Sequence, residues 1–144
     1  MSTIFEKIIA REIPAEIIYE DEQTLAFLDI KPNNKGHALV IPKVVSKNIF
    51  EIDDDAFSAM ARTAIKVARA IKSATGCDGI NIIMNNEGAA GQEVFHAHLH
   101  VIPRFQGDNV FGQITHVSYD EGEMETYAER IRTLISKPYA KGEI

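Results

Sequence analysis

Apolar residues stand at Ile4, Phe5, Ile8 and Ile9, the spacing of one helical face, and Thr3 with Glu6 three residues later forms the pair that caps such a helix at its start. The pattern predicts a short helix ending before Pro14. Beyond it the period changes to that of strands. Glu16 to Glu20 and Thr24 to Asp29 are β-branched or apolar runs separated by Asp21-Glu22-Gln23, which reads as a hairpin. The turn-forming run Lys31-Pro32-Asn33-Asn34-Lys35-Gly36 is a loop, and His37 to Ile41 resumes as a strand that stops at Pro42. Asp53 to Asp55 open a long helix with Phe57, Met60, Ala61, Ala64, Ile65, Ala68 and Ile71 at helical spacing until Gly76. Ile80 to Met84 and Phe95 to Ile102 read as two more strands, joined by a loop of small residues from Asn85 to Gln92. Glu123 to Ser136 has helical character, with Tyr127, Ile131, Leu134 and Ile135 on one side. Five strands, one long helix and two shorter ones predict an α+β fold built on a five-stranded antiparallel sheet.

Composition adds limits. A chain of 144 residues, 45% hydrophobic and 25% charged, suits one soluble domain with a single core. A net charge of −6 argues against binding nucleic acid through a general basic surface, though a small nucleotide held by a few residues is allowed. Cys77 is the only cysteine, so no internal disulfide and no Cys-x-x-Cys metal site can form. No run of 18 apolar residues and no secretory leader pattern occurs, so the expectation is a cytoplasmic protein without a membrane partner.

The densest chemistry is His96-Ala97-His98-Leu99-His100. On a strand these three imidazoles project from one face, with Ala97 and Leu99 on the other. A lone strand histidine is usually structural; three at period two point to a site. Two chemistries fit. Imidazole is a common zinc ligand, but same-face neighbours on a strand lie roughly 6.5 to 7 Å apart, which suits two ligands better than three, and Glu93 is the acidic candidate next to the histidines in the adjoining loop. The other chemistry is nucleophilic: a neutral imidazole attacks phosphorus, its neighbours orient it and handle protons, and backbone N–H groups of the Gly88 to Glu93 loop hold the phosphoryl oxygens.

HAHLHVIPR, from His96 to Arg104, resembles the motif of the histidine-triad family, and IFEKIIAREIPAEIIYEDEQTLAFLDI, GHALVIPK and NNEGAAGQEVFHAHLHVIPR resemble its nucleotide-binding branch over roughly residues 3 to 105. The resemblance implies a histidine-triad nucleotide-binding domain over residues 1–107, with residues 108–144 an extension packed on the same domain. It implies a homodimer whose two sheets join into ten strands. It also implies hydrolysis or transfer at the α-phosphate of purine nucleotide conjugates of the nucleoside 5′-phosphoramidate type, through a nucleotidyl-histidine intermediate on His98. His96 and His100 flank that nucleophile, His100 contacting the α-phosphate or leaving group, and His37 supports it from a neighbouring strand. Asp29 matches the carboxylate that holds the ribose hydroxyls. Phe5, Ile8, Phe27 and Ile30 correspond to the walls around the base, and Asn86, Gln92, Glu93 and Val94 to the phosphate contacts.

The chain also departs from the family. Glu93 stands where some members carry a serine that donates to the leaving group. Thr3, Glu6 and Val45 occupy positions that hold two cysteines and a histidine in zinc-bearing members, so no structural zinc is expected; no cofactor is required on this reading, and no ligand set for Mg²⁺ is visible. Dinucleoside polyphosphate hydrolysis is the alternative enzymatic reading, brought in by Pro103-Arg104 and Gln92. A nucleotide-binding regulatory module with incidental turnover is the non-enzymatic one. The physiological leaving group, the choice between adenine and guanine and the role of the tail are not legible in the sequence.

Overall fold

The computed structural model describes residues 2–141; Met1 and residues 142–144, the last three of the expected extension, lie outside the described residues. The chain divides into two compact units between Val110 and Phe111. In the first, helix α1 (Ile4–Ile9) leads into strands β1 (Ile17–Glu20), β2 (Thr24–Leu28) and β3 (Ala38–Pro42), then helix α2 (Asp54–Thr75), β4 (Gly79–Ile83), a 3-10 turn at residues 88–90, and β5 (Leu99–Arg104). The strands form one antiparallel sheet in the order β1-β2-β3-β5-β4. Among the described residues no helix is long and apolar enough to cross a membrane.

Both faces of the central strands are buried because each carries its own helix. Ala26, Ala38, Val40, Leu99 and Val101 pack with Met60, Ala64, Val67 and Ile71 of α2. On the opposite face Leu25, Phe27, Leu39 and Ile41 pack with Phe5 and Ile8 of α1. The stripe on α2 is turned slightly from the expected one: Thr63 and Val67 are buried, whereas Ile65 is exposed. Thr63 tolerates burial because its hydroxyl shares a 2.7 Å hydrogen bond with Thr24 of β2, joining helix to sheet. Both helices end as their sequence signals indicate. Thr3 and Glu6 form the full capping box on α1, and Gly76 closes α2 in the left-handed conformation.

The largest difference from the expected elements falls on the histidines. The strand expected over Phe95 to Ile102 begins only at Leu99, so His96 and His98 lie before it. Val40 of β3 pairs with Leu99, and the next pairing toward Ala97 would involve Pro42, which has no N–H to give. The Pro42 carbonyl is taken by the His96 ring instead, and the Ala97 N–H bonds to the Ser46 carbonyl. Farther along β5, the Pro103 carbonyl accepts from the Asn34 side chain in the loop before β3. That loop closes through Gly36 at φ +99°, where a side chain would also come within 3.0 Å of the Thr75 methyl. The turn delivers His37 to the foot of β3.

The second unit contains helix α3 (Glu123–Ile135), close to the expected span. Tyr127, Ile131, Leu134 and Ile135 are all exposed, and the rings of Tyr119 and Tyr127 stand 6.0 Å apart.

Candidate active site

Four histidines meet on the α1 face of the sheet. His37 precedes β3, His100 lies in β5, and His98 and His96 occupy the segment leading into β5. The ring of His98 is 4.9 Å from that of His100, and the ring of His37 is 5.2 Å from His100. Phe5 sets its ring edge-on against both His96 and His98, at 5.7 and 5.0 Å between centroids.

Hydrogen-bond partners identify where each ring carries its proton. Nδ1 of His98 lies 2.7 Å from the His96 carbonyl. A carbonyl only accepts, so Nδ1 bears the hydrogen and Nε2 keeps its lone pair. Nδ1 of His37 accepts from the Asn33 amide at 3.0 Å, so the hydrogen of a neutral His37 sits on Nε2. That Nε2–H faces Nδ1 of His100 at 3.0 Å, which leaves His100 with its hydrogen on Nε2. Adjacent rings therefore offer a nucleophilic lone pair and a hydrogen-bond donor.

Neutrality follows from burial. Desolvation is the leading cause that pulls His37, His96 and His98 below the ordinary imidazole value, and it brings His100 to about 4 with help from the neighbouring charges of His98 and His37. Asp29 opposes the shift in His37, His98 and His100 without reversing it. Its Oδ2 stands 3.6 Å from His37 Nε2, a contact between a carboxylate and a neutral ring. The other oxygen accepts from the Lys31 amide, so Asp29 also makes the turn before Pro32.

Asp29, His37 and His100 each place a ligand atom within 4.8 Å of the others. A metal-ligating imidazole donates its other N–H to a neighbour, whereas Nδ1 of His37 accepts from Asn33 and thereby keeps a proton on the Nε2 that would have to ligate. The cluster has the bonding of a hydrogen-bond relay.

The remaining expected contacts divide. Phe5, Ile8 and Phe27 are buried together in the core beneath α1, whereas Ile30 is 93% exposed and stands apart from them. Val94 packs at the edge of that same cluster, and Glu93 is exposed. Gln92 is buried and fully occupied: its oxygen accepts from Asn48 and from the Glu87 amide, and its nitrogen donates to the carbonyls of Lys47 and Val94. Asn48 donates to the Glu87 carboxylate as well, which holds Glu87 at φ +77° in a backbone region that glycine favours. Asn86 accepts from the Ile49 amide and donates to the Met84 carbonyl. The loop before the histidines is thus latched from within.

The β4–β5 register ends at the Ile83–His100 pair, so Asn85 and Asn86 both lie past it, in the loop that leads to the histidines. Asn86→Ala is expected to lower thermal stability, because its side chain holds the Ile49 amide and the Met84 carbonyl; an unchanged melting temperature would contradict that role.

Residues 10–107 match the HIT domain family. The chain is 40% identical over 102 residues to purine nucleoside phosphoramidase of Escherichia coli, covering 69% of this chain and 85% of that protein. It is 41% identical over 105 residues to adenylylsulfatase HINT3 of Arabidopsis thaliana, covering 73% of this chain and 53% of that one. The crystal structure of a HIT family protein from Bacillus subtilis superposes with a TM-score of 0.88 at 38% identity, covering 96% of this chain and all of the other (100%).

Proposed function

Because the chain belongs to the HIT domain family, we propose that it hydrolyses purine nucleoside 5′-phosphoramidates or closely related nucleotidyl conjugates through a nucleotidyl group carried on His98. The observation that carries this reading is the pairing of a lone pair on His98 Nε2 with a hydrogen on His100 Nε2, each set by an identified partner of the other ring nitrogen. His98 Nε2 bonds to phosphorus as the P–N bond breaks, and the nitrogen departs as an amine with the proton it carries in the N-protonated substrate. His100 donates to the phosphoryl group as its charge develops. Water then attacks phosphorus, releasing the nucleoside monophosphate and returning the electron pair to His98, while the proton of the water passes to solvent. No metal ion is needed in this scheme. Asp29 is the acceptor for the ribose hydroxyls, and Phe5, Ile8 and Phe27 back the base.

The two named relatives share a nucleotide substrate type and differ in leaving group, sulfate in one and an amine in the other. Two features of the chain favour the amine. Glu93, exposed in the loop before the histidines, puts an acidic side chain where some relatives have a hydroxyl donor, which disfavours an anionic leaving group. Arg104 and Gln92, which suggest dinucleoside polyphosphates, spend their donors inside the protein: Arg104 bonds to Asp108 and Asn81, and Gln92 to the Lys47 and Val94 carbonyls. On the same reading the protein is a cytoplasmic homodimer, with edge strand β4 offering unpaired backbone along which two sheets can join.

The deciding experiment compares turnover of adenosine 5′-phosphoramidate, adenylyl sulfate and diadenosine tetraphosphate, with and without chelator. Preferred, chelator-insensitive release of AMP from the phosphoramidate is expected. Preference for the tetraphosphate would overturn the substrate class, and restoration by zinc after chelation would overturn the metal-free mechanism.

A further inference from the structure

Helix α1 reaches the histidine segment through a hydrogen bond whose direction can be worked out. His96 has no solvent exposure (0%), and its Nε2 lies 2.9 Å from the Pro42 carbonyl, so Nε2 carries the hydrogen. Burial keeps the ring neutral, which makes Nδ1 a bare acceptor. Thr3 Oγ1 stands 3.2 Å from that Nδ1 and also accepts from the Glu6 amide at 3.2 Å. With its acceptor side turned to the helix, the single hydroxyl proton goes to His96. Among the described residues no other group bonds to this nitrogen. The backbone carbonyl of His96 is in turn the acceptor that sets the His98 tautomer.

We infer that Thr3 is a positioning residue for the nucleophile: its hydroxyl pins the His96 ring, which steadies the His96 carbonyl and so keeps His98 with its hydrogen on Nδ1 and its lone pair on Nε2. Capping accounts for a threonine at this position but not for its second bond. The hydroxyl couples the start of the chain to His96, 93 residues away in sequence, and through the His96 carbonyl to the reacting ring of His98. The inference rests on the reading of His98 as nucleophile.

Three variants separate positioning from capping. Thr3→Ser keeps acceptor and donor, Thr3→Asp keeps an acceptor that caps the helix but has no proton to give at neutral pH, and Thr3→Val removes both. With adenosine 5′-phosphoramidate, kcat is expected to stay within about twofold for Ser and to fall about tenfold for Asp and Val, while KM changes less than about threefold. Nitrogen-15 spectra of the histidine rings should show His98 as the Nδ1–H form in wild type and Ser, and as a mixture in Asp and Val. Wild-type kcat and an unchanged His98 spectrum in the Asp variant would reduce Thr3 to a helix cap and overturn the inference. If Val does not fold, the Ser and Asp variants still decide. A wild-type protein that fails to turn over the phosphoramidate would sink the proposed reaction, whereas the ring spectra would still report whether Thr3 holds the tautomer.

Discussion

His98→Ala is expected to lose adenosine 5′-phosphoramidate turnover by on the order of a thousandfold or more, because no other group can form the covalent bond to phosphorus. The flanking rings cannot substitute. Nδ1 of His100 faces His37, leaving a protonated Nε2, and both nitrogens of His96 are engaged by Thr3 and Pro42. Binding of AMP should persist, since Asp29 and the latched loop before the histidines do not depend on the His98 side chain. The check is calorimetric titration with AMP beside single-turnover kinetics. Turnover within tenfold of wild type would remove His98 as nucleophile. Lost turnover with an unchanged biological effect would instead favour a nucleotide-binding regulatory module.

The second large effect is on stability. His37, His96, His98 and His100 all lie below the unfolded imidazole value near 6.5. Below that pH the unfolded chain takes up protons that the native rings refuse, so stability is complete above about 6.5 and is lost as the pH falls toward the native values. For His100, at about 4, each pH step below 6.5 costs about 1.4 kcal/mol, or roughly 2 kcal/mol by pH 5, and the other three rings act in the same direction. Carboxylates held low by their partners, such as Glu20, Asp21 and Glu87, weaken the fold only near and below their unfolded values of about 4 to 4.5, so the interval from 6.5 to 4.5 isolates the histidines. Denaturant unfolding at pH 7.5, 6 and 5 should show this decline, with a shallower one in His100→Asn. Flat stability across the interval would mean that the rings are solvated in the native state. For the same reason kcat/KM should be level at neutral pH and fall on an acid limb lying below pH 6.5.

Much of this was legible in the order of residues alone. The capping box at Thr3 and Glu6, the glycine stop at Gly76 and the alternation along the strands are short-range signals, and the elements they announce lie within a few residues of the expected places. The histidine motif is a short-range signal of the same kind, and it points to the HIT domain family that the chain belongs to. The structure changed the reading wherever a long-range partner decides. The strand expected from Phe95 starts at Leu99 because Pro42, more than fifty residues earlier, offers that segment no amide. Gln92 turned out to be a buried strut because Asn48 and Lys47 come to meet it.

A sequence lists which side chains can donate, accept or attack. It cannot state which of two ring nitrogens holds a proton, since that depends on whether an amide or a carbonyl from a distant segment faces it. The sequence by itself determined the α+β fold class, the elements near their observed places and the four histidines. Only the tertiary structure, by bringing Asn33, Pro42, Thr3 and the His96 carbonyl against those rings, decided which nitrogen holds a hydrogen and which keeps a lone pair.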